Sequence, residues 1–163
     1  MTPIPRLLSV AASATIPYTI DVVWEGGITT SIDLTGVVLR EAAFAPLRDP
    51  KIFREIRLAR WGWGIEWPNG LDYAPDTLMR LAEAQRVMTA DEFTAWQKRV
   101  GLSNQETADL LDRSLTTIKA YRKGEVAIPR SVALACRAME RDDVILSALY
   151  HPRRPGRPRR DAA

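Results

Sequence analysis

The chain has 163 residues, of which 46% are hydrophobic and 26% are charged, which is enough apolar material for one domain or two small ones. No apolar run is long enough to cross a bilayer. The formal net charge of +3 comes from the last segment: residues 1–88 carry 9 Lys+Arg and 10 Asp+Glu, residues 89–150 carry 9 and 9, and residues 151–163 carry 5 and 1. The folded parts therefore have no basic excess of their own.

The first part of the chain shows short strand patterns separated by turn residues. Residues 7–14 (LLSVAASA) predict a first strand. They also superficially resemble a signal peptide after Arg6, but five of the eight residues are Ala or Ser. Residues 18–24 (YTIDVVW) and 28–34 (ITTSIDL) flank Glu25-Gly26-Gly27, which predicts a β-hairpin.

Short helices and two more strands follow the hairpin. Residues 35–41 predict a short helix, and Asp49-Pro50 predicts the cap and first residue of a helical turn through Phe53. Residues 55–60 and 65–67 predict strands on either side of Trp61-Gly62-Trp63-Gly64. A helix from Asp76 to about Val87 completes a predicted small α+β domain with an antiparallel sheet over residues 1–87.

Three segments of this front domain carry a resemblance. Residues 44–49 (FAPLRD), 67–72 (WPNGLD) and 75–78 (PDTL), in this order, resemble a small uncharacterised bacterial α+β family that is found alone or ahead of XRE-type domains and has no agreed activity. The aromatic residues of the domain are predicted to serve in core and edge packing; they are Tyr18, Trp24, Trp61, Trp63 and Trp67.

The second part of the chain predicts four capped helices. Thr89 to Glu92 form a capping box for a helix that runs to Val100 and stops at Gly101. Ser103 to Glu106 form a second box, for a helix through Leu111 with Ala108 and Leu111 facing inward. Ser114 starts a third helix, residues 115–123, which ends at Gly124. A fourth covers residues 130–141, with an inward apolar face of Val132, Ala133, Leu134, Cys136 and Met139.

This region resembles the lambda-repressor-like (XRE) helix-turn-helix family over about a third of the chain. The resemblance lies in residues 101–111 (GLSNQETADLL) and 114–124 (SLTTIKAYRKG), where the caps, the small Ala108 and the terminal Gly124 agree with the family pattern. Two residues depart from it, because Asp112 stands where the family usually has glycine and Arg113 where it has an aliphatic residue. The resemblance implies an all-α DNA-binding domain over residues 88–150.

The same resemblance implies roles for individual residues on double-stranded DNA. The third helix would enter the major groove with Leu115, Thr116 and Ala120 towards the bases. Leu115 and Ala120 could touch only a thymine methyl group, whereas Thr116 can form a hydrogen bond. The remaining candidates would contact the phosphate backbone; they are Gln105, Arg113, Thr117, Lys119, Arg122 and Lys123.

The C-terminal segment, residues 151–163, is predicted to be a disordered basic tail. Residues 151–160 (HPRRPGRPRR) resemble an AT-hook, which implies that Arg157 and Arg159 bind the minor groove of A·T-rich DNA. The alternative is a tail with only non-specific attraction to polyanions.

The sequence as a whole favours a cytoplasmic, homodimeric bacterial regulator of transcription, a repressor that binds specific double-stranded DNA. One alternative is a helix-turn-helix fold that has lost DNA binding and serves in dimerisation or docking. Another is an antitoxin-type module whose front domain binds a protein partner, and a third is a sensor of a small ligand. With one His, one Cys, no phosphate-binding glycine loop and no zinc ligand set, we expect no enzyme, metal or cofactor.

Overall fold

The structure is a computed structural model that describes residues 5–152. The chain divides into two compact units after Arg86, here called the front unit and the rear unit. The described residues combine antiparallel sheets in the front unit with helices in both units, so the fold class is α+β, as predicted.

A three-stranded antiparallel sheet begins the front unit, with strand order β1 (Leu7–Ala12), β2 (Thr19–Trp24) and β3 (Thr29–Asp33). Ile20 pairs with Ile32, and both are fully buried. Gly26 and Gly27 have positive φ angles of 99° and 83°, which the tight turn between β2 and β3 requires. The predicted hairpin is confirmed, although Tyr18 lies before β2 in a left-handed conformation with φ of 52°.

Two short helices and a 3₁₀ helix follow the sheet. They are α1 (Thr35–Arg40), the 3₁₀ helix Ala42–Arg48 and α2 (Pro50–Arg54). The Asp49 carboxylate accepts the Lys51 backbone N–H at 2.8 Å, which confirms the predicted cap. Leu47 and Phe53 are buried and hold these elements on the core of the front unit.

A second antiparallel sheet has three two-residue strands, β4 (Arg57–Leu58), β5 (Ile65–Glu66) and β6 (Asp72–Tyr73). Strand β6 was not predicted, because two residues give no measurable alternation. Trp67 follows β5 and is buried, and its indole Nε1 donates to the Phe53 carbonyl oxygen at 3.0 Å. The unit ends with α3 (Pro75–Gln85), whose Gln85 side chain bonds the backbone N–H and C=O of Asp33.

The rear unit consists of five helices within its described residues. They are α4 (Ala90–Arg99), α5 (Asn104–Leu110), α6 (Leu115–Lys123), α7 (Arg130–Arg141) and α8 (Asp143–Leu149). Both predicted capping boxes are present, at Thr89 and Ser103. Gly124 ends α6 in the left-handed conformation, with φ of 72°. Helix α8 was not predicted, because it directly follows α7 without a Gly or Pro between them.

Three predictions of burial are wrong. Leu134 was assigned to the inward face of α7 but is 52% exposed. Trp61 and Trp63 were assigned to packing but are 70% and 52% exposed. Trp61 lies in a short 3₁₀ helix, Arg60–Gly62, and Trp63 directly follows it, so the alternation of a strand could not predict their exposure. Cys136 is buried as expected, and its burial raises the pKa of the thiol to about 12.

Candidate nucleic-acid interface

Helices α5 and α6 are joined by a four-residue turn and pack against each other. Ala108 of α5 is only 1% exposed, so its small side chain lies in the core of the rear unit. Ile118 and Tyr121 of α6 are buried in the same core, and the Tyr121 ring meets Phe93 of α4 edge to face at 5.7 Å. These contacts anchor one face of α6 and leave the opposite face to solvent.

The turn between the two helices has a left-handed residue at Asp112, with φ of 51°. This conformation lets the Arg113 backbone N–H donate to the Ala108 carbonyl oxygen at 2.9 Å, which closes α5. Ser114 then caps α6, because its Oγ accepts the Thr117 backbone N–H at 3.0 Å. The Arg113 side chain is exposed, and its guanidinium donates to the Asp112 carbonyl oxygen at 3.0 Å.

The solvent face of α6 carries four of the predicted residues. Thr116, Lys119, Ala120 and Lys123 follow the i, i+3, i+4, i+7 spacing of a single helix face, opposite Ile118. Thr116, Lys119 and Lys123 are exposed, and Ala120 is half-buried. The remaining α6 candidates near the turn, Leu115 and Thr117, are also half-buried, and the Thr117 hydroxyl is hydrogen-bonded to the Ser114 hydroxyl at 2.8 Å.

Positive charge is concentrated on this segment although the rear unit has balanced charge overall. Residues 113–124 contain four cationic side chains and no carboxylate. Lys123 forms an exposed ion pair of 3.4 Å with Glu125, just after the helix. An exposed pair of this length is weak and would exchange readily for a phosphate. The segment therefore offers cations on one face of a well-anchored helix.

A hydrogen-bond network that starts at the buried Gln97 and was not predicted orients the exposed Arg122. Gln97 of α4 is buried, and its amide Nε2 donates to Asn104 Oδ1 and to Thr107 Oγ1, both at 3.0 Å. Asn104 Oδ1 also accepts the Arg122 guanidinium at 2.7 Å. The guanidinium of Arg122, a residue of α6, therefore lies beside the start of α5 and not on the solvent face of α6. The sequence feature that could have indicated this network is Gln97, a polar residue next to Trp96 on the buried face of α4.

Gln105 and Glu106 lie at the start of α5 but have partners within the protein. Gln105 is half-buried, and its amide donates to Asp109 Oδ1 at 3.1 Å. The Tyr150 hydroxyl donates to Glu106 Oε1 at 2.6 Å, while the Ser103 backbone N–H donates to Oε2 at 2.8 Å. The bonds from Tyr150 and then from Ser103 lower the pKa of Glu106 to about 2.

Other predicted features lie outside this interface. Arg157 and Arg159, with the AT-hook-like segment around them, are outside the described residues. Over residues 5–152, no group of three or more His, Cys, Asp or Glu side chains is placed to hold a metal ion. In the same range no helix has the length and apolar character needed to cross a membrane.

Comparisons with known proteins gave a family match within the front unit and a similar solved structure. Residues 9–84 match the family described as "Protein of unknown function (DUF2442)", which confirms that the front region resembles a family of no established activity. The comparison with curated proteins gave no match. A similar solved structure is the "Putative DNA Binding Protein NE0471" from Nitrosomonas europaea ATCC 19718. It is 27% identical, with a TM-score of 0.46, and the alignment covers 92% of this chain and 94% of that one.

Proposed function

We propose that the rear unit binds double-stranded DNA, with α5 and α6 acting as a helix-turn-helix of the lambda-repressor-like type, and that the protein regulates transcription. The observation that supports this most directly is the solvent face of α6. It presents Thr116, Lys119 and Lys123 on one exposed stripe, in a segment without a carboxylate. An α-helix with such a face fits the major groove.

Each exposed side chain has a distinct role in this proposal. Thr116, in the first turn of α6, would hydrogen-bond a base edge or a nearby phosphate. Lys119 and Lys123 would contact phosphates and contribute affinity without sequence preference. Arg122, held by Asn104, would bind a phosphate beside α5 in a fixed orientation.

The variants Thr116→Ala and Lys119→Gln test this assignment. Selection from a random duplex pool at low salt identifies a bound sequence, and fluorescence anisotropy then measures affinity against salt. We expect Lys119→Gln to weaken binding to every duplex and to lower the slope of log K against log salt by about 0.9. Thr116→Ala should reduce discrimination between selected and random duplexes.

Lys98→Gln is the matched control, because Lys98 is an exposed lysine of α4 and the change in net charge is the same. It should leave the selected site and its relative affinity as in the wild type.

A chain truncated after Pro152 should bind DNA more weakly and with a smaller salt slope, because it lacks the five arginines of the tail. The proposal is wrong if no duplex is enriched at low salt, or if Lys98→Gln and Lys119→Gln weaken binding equally.

We further propose that the protein acts as a homodimer on two half-sites about one helical turn apart. Leu134 of α7 and Leu149 of α8 are each more than half exposed and are the side chains we assign to an apolar contact between copies. Sedimentation equilibrium of the wild type and of Leu134→Ser tests it. A wild-type monomer at micromolar concentration that also binds DNA as a monomer would rule it out.

A further inference from the structure

Two tryptophans that are separated by a single residue in sequence are exposed on the surface of the front unit. Trp61 is 70% exposed and Trp63 is 52% exposed, whereas Trp24 and Trp67 of the same unit are buried. Soluble proteins keep few indole rings open to water, and tryptophan is strongly enriched at the centres of protein interfaces. The exposed pair is therefore unusual enough to need an explanation.

The loop that holds these rings is tightly fitted to the protein. Gly62 and Gly64 alternate with the tryptophans and are buried, with positive φ angles of 74° and 137°. A Cβ at Gly62 would collide with the Leu7 carbonyl oxygen of β1, and a Cβ at Gly64 would lie 2.6 Å from the Tyr73 carbonyl oxygen of β6. The glycines thus fix the loop to both sheets while the indoles face solvent.

Trp61 itself has a left-handed backbone, with φ of 63°. This conformation is unfavourable for a bulky residue and costs little for glycine. A ring that is 70% exposed recovers little of that cost by packing against the fold. Strain held at a residue with little packing of its own is typical of a binding position.

Each exposed indole is paired with an arginine. The Arg6 guanidinium carbon lies 5.1 Å from the Trp63 ring centroid, and that of Arg60 lies 5.5 Å from the Trp61 centroid. Neither guanidinium is within ion-pair distance of a carboxylate in the part of the chain that the structure describes. Stacking occupies the flat face of a guanidinium and leaves its in-plane N–H donors available, in the fork that binds a carboxylate.

We propose that Arg6, Arg60, Trp61 and Trp63 form a docking surface for a protein partner that presents acidic side chains beside an aromatic or aliphatic one. The indoles would bury the apolar side chain and the two guanidiniums would bind the carboxylates. The two guanidiniums favour an acidic partner at this surface. The rest of the front unit does not add to this attraction, because residues 1–88 carry 9 Lys+Arg and 10 Asp+Glu. A nucleic-acid strand is instead bound along an extended track of cations.

A displayed library of random twelve-residue peptides tests the proposal on the full chain. Peptides are selected on the wild type and depleted on the double variant Trp61→Gly/Trp63→Ser. Glycine suits the backbone of residue 61, so we expect this variant to keep its melting temperature. The retained peptides should be enriched in Asp or Glu next to Phe, Trp or Leu, and a synthetic retained peptide should lose at least about tenfold in affinity for the variant.

The double variant Arg6→Gln/Arg60→Gln, which leaves the loop intact, should weaken the same peptide to a similar degree. Arg80→Gln is the matched control, because Arg80 is an exposed arginine of α3, and it should bind like the wild type. The proposal is overturned if no peptide distinguishes the wild type from the tryptophan variant, or if the retained peptides lack acidic residues.

Two further results identify a different occupant and also overturn the proposal. One is binding of a (dT)20 oligonucleotide that disappears in the tryptophan variant. The other is self-association of the wild type that the same variant abolishes in sedimentation. Quenching of tryptophan fluorescence checks the charge around the two rings. The ratio of the iodide to the caesium quenching constant should be higher for the wild type than for neutral N-acetyltryptophanamide, because cations lie over both rings, and it should fall in the Arg6→Gln/Arg60→Gln variant. A ratio that these two arginine substitutions leave unchanged contradicts the electrostatic part of the proposal.

Discussion

Replacing Ala108 by leucine tests whether α5 and α6 depend on a small residue where they pack together. Ala108 is 1% exposed in a core with Ile118 and Tyr121, so the added carbon atoms have no open space to enter. Overpacking of this kind costs about 1–3 kcal/mol. For a domain of the size of the rear unit, about 2 kcal/mol lowers the melting temperature by roughly 8–16 °C.

Thermal unfolding followed by near-ultraviolet circular dichroism is a suitable assay, since Phe93, Trp96 and Tyr121 form an aromatic cluster in this core. Ala95→Leu is the matched control, because Ala95 is exposed in α4 and the same side chain is added there. The control should change stability by less than about 0.5 kcal/mol. If Ala108→Leu is no more destabilising than Ala95→Leu, the close packing of α5 and α6 is not what holds α6 in place.

Two further substitutions test other local features. Gly124→Ala should lower the free energy of unfolding in urea by about 1–2 kcal/mol. The added Cβ would lie 3.6 Å from Ala90 Cβ, so it has room, and only the left-handed backbone opposes the change. Gly36→Ala is the control, because Gly36 has no positive φ, and it should not destabilise the protein. Glu106 has a folded pKa of about 2 against an ordinary 4.5, so its stabilisation is present above pH 4.5 and is lost as the pH falls towards 2. Glu106→Gln should therefore flatten the loss of urea midpoint in that window, and an unchanged slope would contradict the assignment.

Much of the rear unit could be predicted from the sequence because its helices are defined by local chemistry. Thr89 and Ser103 each have a glutamate three residues later, and both capping boxes form as written in the sequence. Gly124 ends α6 because the left-handed conformation costs glycine little. The hairpin of β2 and β3 follows equally from Gly26-Gly27 between two alternating segments. All of these signals act over a few residues.

The parts that were missed depend on contacts between residues far apart in sequence. The orientation of Arg122 requires Asn104 and Gln97, which belong to two other helices. Leu134 is exposed although the helical spacing placed it on the inward face of α7. The start of α8 was missed although its cap is local, because the Asp142 carboxylate accepts the Val144 backbone N–H at 3.0 Å. For the candidate interface, the residues of α6 could be named in advance, but their separation into exposed, half-buried and internally bonded side chains could not.

The sequence by itself determined where most helices and strands begin and end, because caps, glycines and alternation act through the nearest backbone atoms. Only the tertiary structure decided which side chains face solvent, because burial is set by the elements that pack on each face. The same residue type is therefore buried at Trp24 and Trp67 but exposed at Trp61 and Trp63. Gly62 and Gly64, beside the exposed pair, lie close to the backbone of Leu7 and Tyr73 in two different sheets, and no local pattern predicts these contacts.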